Sequence, residues 1–214
     1  MKKKLLLILT LCMAFSLTAC KTEKVEEQKE ETTSYKTYAV KDEIINSQIK
    51  DGKVQILDNV ITFPIKYSDF ISQTKLSVNK AFSSDFDPSY ILEEGEEKKI
   101  YLTSNDTDVL VVTIKNDTQS LKMAMECNIV SIQLSKTTSK EINDSLKNIV
   151  YMPYGITYDK KFTDYKDKLK KIDSKEKQYD TNMTINYTQD NYSLAVFYDT
   201  ETEKITEIIY KINN

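Results

Sequence analysis

The chain of 214 residues contains no histidine and no tryptophan, and its thirty basic residues are all lysines, so arginine is absent as well. Histidine is the usual general base and the commonest metal ligand, and arginine is the usual clamp for oxyanions. These absences exclude Ser-His-Asp triads, histidine-ligated zinc hydrolase sites and arginine-based phosphate sites. The net charge of −3 makes neither nucleic acid nor an anionic membrane surface an obvious electrostatic partner, and we expect no nucleic-acid partner.

The first twenty residues, MKKKLLLILTLCMAFSLTAC, have the pattern of an export signal. Three lysines precede the apolar run Leu5–Leu17. A stable membrane-spanning helix needs about 20 apolar residues, so this run is too short to span a bilayer and is typical of a cleaved signal peptide. We therefore predict a signal peptide over residues 1–19.

The end of this segment, Leu17-Thr18-Ala19-Cys20, resembles the lipobox of bacterial lipoproteins. The resemblance implies that Cys20 receives a diacylglyceryl thioether, that the chain is cut before it, and that further acylation follows. Two or three acyl chains give a firm anchor, whereas one is marginal. The implied partner of Cys20 is the membrane, and the implied location is the outer face of the bacterial cytoplasmic membrane. Richness in Lys, Ile, Asn, Asp and Tyr indicates an AT-rich genome, as in many Gram-positive Firmicutes.

Only three cysteines occur, and the signal peptide contains one of them, Cys12. With Cys20 lipidated, Cys127 is the only thiol left, so we expect no internal disulfide in the exported part. The apolar surroundings of Cys127, in M-A-M-E-C-N-I-V, favour a small core residue. A reactive thiol is the alternative, although no histidine is present to activate it.

Residues 20–50 comprise the lipidated cysteine and a charged segment that is predicted to be a tether. Lys, Glu and Thr dominate residues 21–40, KTEKVEEQKEETTSYKTYAV. Such a composition cannot bury enough apolar area to offset the entropy cost of ordering.

Beyond residue 50 the chain alternates short apolar runs with turn residues. Two of the three prolines close similar runs, N-V-I-T-F-P at 59–64 and N-I-V-Y-M-P at 148–153. Because proline cannot donate to a sheet ladder, we interpret both as the end of an opening strand. Further strands are predicted at 54–56, 100–102, 109–114, 123–134, 183–187, 194–198 and 205–212.

A helix is predicted after each of these two prolines, Pro64 and Pro153. Phe70, Ile71 and Thr74 fall at helical spacing after the first. After the second, an apolar stripe predicts an amphipathic helix over residues 157–172, formed by Tyr158, Phe162, Tyr165, Leu169 and Ile172. The predicted fold class is therefore α+β, with two tandem repeats at 51–136 and 137–214. Each repeat would be a helix packed on a small antiparallel sheet.

Several short stretches resemble known families. The runs 60–64, 67–70, 116–118 and 126–130 are similar to clostridial-type (Firmicutes) surface lipoproteins. The stretch Pro153-Tyr154-Gly155-Ile156-Thr157, with the helix and strands after it, resembles the α+β repeats of the β-lactamase-inhibitor-like fold. That fold also occurs in small lipoproteins of outer-membrane assembly. The usual Gly-Lys/Asn-Pro turn after the second helix is absent, and Lys170–Lys175 stands there instead. The resemblance implies a concave sheet that binds protein rather than a catalytic site.

Candidate chemistry is sparse. The acidic loop at 93–97 and the oxygen-rich run at 105–108 could hold Ca²⁺, but neither has a full calcium-loop spacing. Ser-x-x-Lys, the nucleophile–lysine pair of penicillin-interacting enzymes, occurs four times without its Lys-Thr-Gly or Ser-Asp-Asn partners. We therefore expect no catalytic residue, no metal and no cofactor.

Tyrosine is abundant, with fourteen residues. Tyr192 and Tyr198 are the candidate partner surface, because tyrosine is large, rather rigid and amphipathic. The alternative is that these tyrosines replace Trp and Phe at half-buried positions of a sheet.

The expected function is that of a lipid-anchored, non-catalytic binding or envelope-associated module, with another envelope protein as the candidate partner. One alternative is an enzyme that acts on the cell wall, or its accessory subunit. A solute-binding lipoprotein is a third option, although the predicted folded part is short for a two-lobed clamp.

Overall fold

The computed structural model describes residues 36–104, 110–137 and 139–213 of the chain. Strands are the main regular structure of this part, because apolar residues alternate along many of its segments and every second side chain of a strand points to the same face. The strands are β1 Lys53–Ile56, β2 Asn59–Thr62, β3 Ile65–Lys66, β4 Ser77–Val78, β5 Ile91–Leu92, β6 Glu97–Thr103, β7 Leu110–Lys115, β8 Lys122–Met123, β9 Asn128–Ser135, β10 Val150–Tyr151, β11 Ser174–Tyr179, β12 Asn182–Gln189, β13 Tyr192–Asp199 and β14 Ile205–Ile212. In the same ranges the α-helices are α1 Asp42–Ile45, α2 Tyr67–Thr74, α3 Lys140–Ser145 and α4 Lys166–Leu169.

Nine strands form one antiparallel sheet in the order β11-β12-β13-β14-β9-β7-β6-β4, with β3 also paired to β9. A three-stranded sheet, β10-β1-β2, and the β5–β8 pair are separate from it. The pairing of β14 with β9 joins strands from either side of residue 136, so the large sheet draws on both halves of the chain.

One face of the large sheet, which we call the inner face, is buried in the core. Val112 lies opposite Ile132, and Val196 opposite Ile208, and all four are fully buried. The β10-β1-β2 sheet packs on this face, and Phe63, which follows β2, forms an edge-to-face aromatic pair with Tyr210 of β14 at a centroid distance of 6.3 Å. The opposite, outer face consists of the alternate residues of the same strands. The side chains of the outer face are mostly half-buried or exposed, so the small sheet does not cover this face.

The predicted α+β class is wrong. The molecule is mostly β-sheet with a few short helices, and it is not built from two helix-on-sheet repeats. The first predicted helix is confirmed as α2. Its residues Tyr67 and Phe70 enter the shared core rather than the core of a separate repeat.

The second predicted helix does not form over residues 157–172. Its stripe is buried as expected, with Tyr158, Phe162 and Leu169 in the core. However, Asp159 has a left-handed backbone with φ of 62°, and Lys161 pairs as an isolated bridge with Lys204. An irregular chain therefore buries the stripe, and only the four residues of α4 are α-helical. A left-handed residue interrupts a right-handed helix, which explains the failure.

The remaining predicted strands are largely confirmed, with one exception, and several strands that were not predicted are present, among them β3, β4 and β11. The long strand predicted at 123–134 is interrupted by a 3-10 turn at Ala124–Glu126, so that β8 and β9 are separate. The edge strand β11 was not predicted, because its sequence SKEKQY has no apolar alternation and all six residues are exposed.

Part of the segment predicted to be a tether belongs to the folded unit. Ile44 and Ile49 are completely buried, and the Tyr151 hydroxyl donates a hydrogen bond to the Tyr38 carbonyl at 2.6 Å. Residues 1–35, which include the predicted signal peptide and Cys20, lie outside the described residues. In the described ranges, no helix has the length and apolar character needed to span a membrane.

Candidate binding surfaces

The two tyrosines of the candidate partner surface are both engaged within the molecule. The Tyr192 hydroxyl donates to the Phe63 carbonyl at 2.9 Å, and its ring stacks on Tyr210 at 5.8 Å. Tyr198 stacks on Phe162 at a centroid distance of 4.6 Å, and burial raises the pKa of its phenol. Both pack against the core as half-buried sheet residues, which agrees with the alternative reading of the tyrosines.

Local structure also engages Cys127 and the acidic loop at 93–97. Cys127 is fully buried, and burial raises the pKa of its thiol, as expected of a core residue. In the acidic loop, the Glu96 carboxylate accepts a hydrogen bond from the Glu93 amide at 2.8 Å. The described residues contain no group of three or more His, Cys, Asp or Glu placed to hold a metal ion. Of the oxygen-rich run at 105–108, all four residues lie outside the described ranges.

The outer face of the large sheet carries an open trough along β6, β7, β9 and β14. Its middle section has a volume of about 470 Å³, and each end section has about 180 Å³. Consecutive sections share lining residues, so they lie side by side on this face. The middle section is lined by Glu97, Lys99, Thr113, Val130, Ser131, Gln133, Ile209 and Lys211. A middle section of this size falls in the range of ligand pockets.

Strand register explains how these side chains come together. Lys99 lies opposite Thr113, Thr113 opposite Ser131, and Ser131 opposite Lys211. Directly opposed residues of antiparallel strands point to the same face. The four side chains therefore form one row across the trough, with a lysine at each end and two hydroxyls between them.

A hydrogen-bonded group adjoins this row. The Gln133 side-chain amide donates to the Glu207 carboxylate at 2.6 Å, and the Ser135 hydroxyl donates to the same oxygen at 2.8 Å. Glu97 forms an ion pair with Lys115 at 3.6 Å. Both carboxylates are thus already occupied by neighbours on the face itself.

A second surface is apolar and lies around the β5–β8 pair. Seven large hydrophobic side chains of the described residues are exposed. Five of them belong to the two chain segments around this pair and define the apolar patch, namely Tyr90, Ile91, Leu121, Met123 and Met125. They meet because Ile91 pairs with Met123 and because the Ala124 amide donates to the Tyr90 carbonyl at 2.7 Å.

The apolar patch has an acidic border. The chain segments that carry it, 85–96 and 117–126, hold seven carboxylates and a single lysine. Glu96 accepts a hydrogen bond from the Tyr90 hydroxyl at 3.5 Å, and Glu126 follows Met125 directly. Lys98 lies outside these two segments, and its ammonium is 4.3 Å from the Tyr90 ring centroid.

Sequence reasoning missed both surfaces. The trough row takes one residue from each of four strands, so its members are neighbours only through strand pairing. Leu121, Met123 and Met125 alternate in the sequence, and such alternation is typical of a strand with one buried face. In the structure these three side chains are exposed instead. No family model, curated protein or solved structure matches the chain.

Proposed function

We propose that the chain is a lipid-anchored extracytoplasmic protein that works by binding, without catalysis. In this proposal Cys20 holds it on the outer face of the bacterial cytoplasmic membrane, and the apolar patch docks another envelope protein. The observation that carries the proposal is that five of the seven exposed large hydrophobic side chains of the described residues lie on the two segments paired through β5 and β8. Patches of this kind mark interaction sites, because scattered single apolar residues are the norm on monomer surfaces.

The chemistry of the patch indicates the kind of segment that it would bind. Met123 and Met125 are unbranched and adaptable, which suits an irregular apolar partner surface. The acidic border favours a partner segment with lysines or arginines beside its apolar residues. It also disfavours an anionic lipid surface, because the carboxylates would be repelled by the headgroups.

The anchor and the docking surface have separate tests. The variant Cys20→Ala should release the chain from membranes or leave an uncut precursor, which fractionation and mass spectrometry would detect. A mature, acylated product in that variant would refute the lipid anchor.

Docking is tested by placing a photo-crosslinking amino acid at Leu121 of the full chain in intact cells. Leu121 has an exposed fraction of 69%, so the exchange leaves the core alone. We expect a crosslink to one protein, at a segment in which basic and apolar residues alternate or cluster. Changing Met125→Ser in the same chain should reduce the yield several-fold.

The matched control places the same crosslinker at Tyr179, an exposed aromatic residue on β11 outside the patch. It should not capture the same partner. Crosslinks from Leu121 to lipid, to a second copy of the chain, or to an acidic segment would each contradict the proposed docking.

A further inference from the structure

Two lysines of the trough lack a carboxylate partner. Within residues 36–104, 110–137 and 139–213, Lys115 is paired with Glu97, whereas no ion pair involves Lys99 or Lys211. Both have exposed side chains at opposite ends of the row across the trough. The row therefore carries two lysines without an ion-pair partner in the described part of the chain, and Glu97, the acidic residue that lines the same section, is paired with Lys115.

The hydroxyls between these lysines are also available. Thr113 and Ser131 are half-buried in the middle of the row, and in the described part of the chain neither hydroxyl has a hydrogen-bond partner. Adjacent strands lie about 4.8 Å apart, so the α-carbons of Lys99 and Lys211 are about 14 Å apart. Long, flexible lysine stems can bring both ammonium groups over the two hydroxyls from opposite sides.

We propose that the row Lys99–Thr113–Ser131–Lys211 binds the phosphate of a phosphomonoester ligand that lies in the trough. A phosphomonoester carries about −1.5 to −2 charges at pH 7 and has three strong acceptor oxygens. Two ammonium groups balance that charge, and two hydroxyls supply further donors to its oxygens. Lysine binds phosphate as a point charge, so arginine is not required.

The trough also has room for the organic part of such a ligand. Val130 is nearly buried and belongs to the trough rather than to the core cluster, and Ile209 lies on the same face. Val130 is placed there by the register shift of β7 against β9 after Thr113. These two side chains give the middle section an apolar floor beside the polar row.

Charge and shape separate this ligand from other anions. A single carboxylate carries one charge and would leave one of the two ammonium groups uncompensated. A flat membrane surface would meet the exposed lysines first, whereas the hydroxyls of Thr113 on β7 and Ser131 on β9 are half-buried on the floor of the trough. The site uses none of the residues of the apolar patch, so it is independent of the docking proposed there.

The test uses the full mature chain in discs of neutral lipid and titrates glycerol 3-phosphate by isothermal calorimetry at fixed ionic strength. We expect saturable binding that Lys99→Gln and Lys211→Gln each weaken about tenfold, since each removes a charge-assisted contact. Thr113→Val and Ser131→Ala should each weaken binding several-fold without removing charge. Circular dichroism checks that each variant is folded.

The matched control is Lys175→Gln, which removes an exposed lysine from the outer face at β11, away from the trough. It should leave the affinity unchanged. Equal losses in Lys175→Gln and Lys99→Gln, equal affinity for acetate, or no saturable binding by the folded wild-type chain would overturn the proposal. Binding only to anionic vesicles would identify a lipid surface instead and would overturn it as well.

Discussion

The Tyr210 hydroxyl donates a hydrogen bond to the Ile49 carbonyl at 2.5 Å, and both residues are almost completely buried. Tyr210 belongs to β14 of the large sheet, whereas Ile49 lies in the turn that leads into β1. Together with the bond from Tyr192 to Phe63, it fastens the small sheet to the inner face of the large one. Phenol-to-carbonyl contacts thus complement apolar packing where the two layers meet.

Replacing Tyr210 by Phe should lower the free energy of unfolding by about 1 kcal/mol, because the ring is kept while the buried Ile49 carbonyl loses the hydrogen bond from the Tyr210 hydroxyl. Urea denaturation measures the change. The control Tyr179→Phe alters an exposed phenol and should have no effect. Equal stability of the Tyr210 variant and the wild type would contradict the role of this bond.

Gly52 and Gly95 offer a matched pair of glycine substitutions, since both have positive φ, of 70° and 72°. A Cβ at Gly52 would lie 2.7 Å from the Phe63 carbonyl oxygen, whereas a Cβ at Gly95 would meet nothing within 4 Å. Gly95→Ala should therefore cost about 1 kcal/mol for its backbone conformation alone. Gly52→Ala should cost clearly more, and similar midpoints of thermal unfolding for the two variants would argue against a tight contact at Gly52.

The free energy of unfolding should fall in alkaline solution, in part because the buried phenol of Tyr67 resists ionisation in the folded chain. Burial raises the pKa of this phenol from 10.0 to about 12, so the unfolded chain releases its proton at a lower pH than the folded chain. The contribution is complete below pH 10 and is lost as the pH rises toward 12. Tyr67→Phe keeps the ring against Phe86 and should remove about 1 kcal/mol of the decline between pH 9 and 11. Parallel pH curves for variant and wild type in urea denaturation would contradict this.

An acid-sensitive contribution should come from Asp159. Burial alone would raise the pKa of its carboxyl, but hydrogen bonds from Lys204 and Lys147 outweigh burial and hold the pKa below its usual value of 3.8. A lowered folded pKa stabilises the protein above pH 3.8, and the effect disappears as the pH falls through the folded pKa.

The variant Asp159→Asn tests this contribution, because asparagine tolerates the left-handed backbone at this position. It should cost about 1 kcal/mol at pH 7. The cost should vanish near pH 2, and chemical denaturation at both pH values measures the difference. Asp58→Asn is the control. Asp58 also pairs with a lysine, Lys41, at 3.5 Å, but it is largely exposed, so this variant should cost little at either pH. A cost for Asp159→Asn that is the same at both pH values would exclude the ion pairs as its source.

Local patterns predicted the strands well wherever one face is buried. The alternation of buried and half-buried residues in β7 and in the middle of β13 follows directly from their place over the core. The same patterns cannot tell which strand pairs with which. The contact of β14 with β9 joins distant parts of the chain, and this pairing is what makes one sheet from two predicted repeats.

The stripe from Tyr158 to Ile172 shows a different limit. Its spacing fits a helix, and its residues are indeed buried or half-buried, but periodicity does not exclude an irregular path that buries the same side chains. The edge strand β11 gave no signal because a strand without a buried face needs no apolar residue. The trough row needed the strand register, which only the folded chain supplies.

The open edge of β11 has a consequence for how copies of the chain meet. An exposed strand edge is a template for another strand, and two copies could pair β11 antiparallel about a twofold axis. Centred on Glu176, such a pair would set Glu176 against itself and Lys175 against Lys177. Centred on Lys177, it would set two lysines against each other. Like charges directly opposite are destabilising in either register. The charged, polar sequence of β11, which made the strand hard to predict, thus also disfavours the pairing of two copies into one continuous sheet.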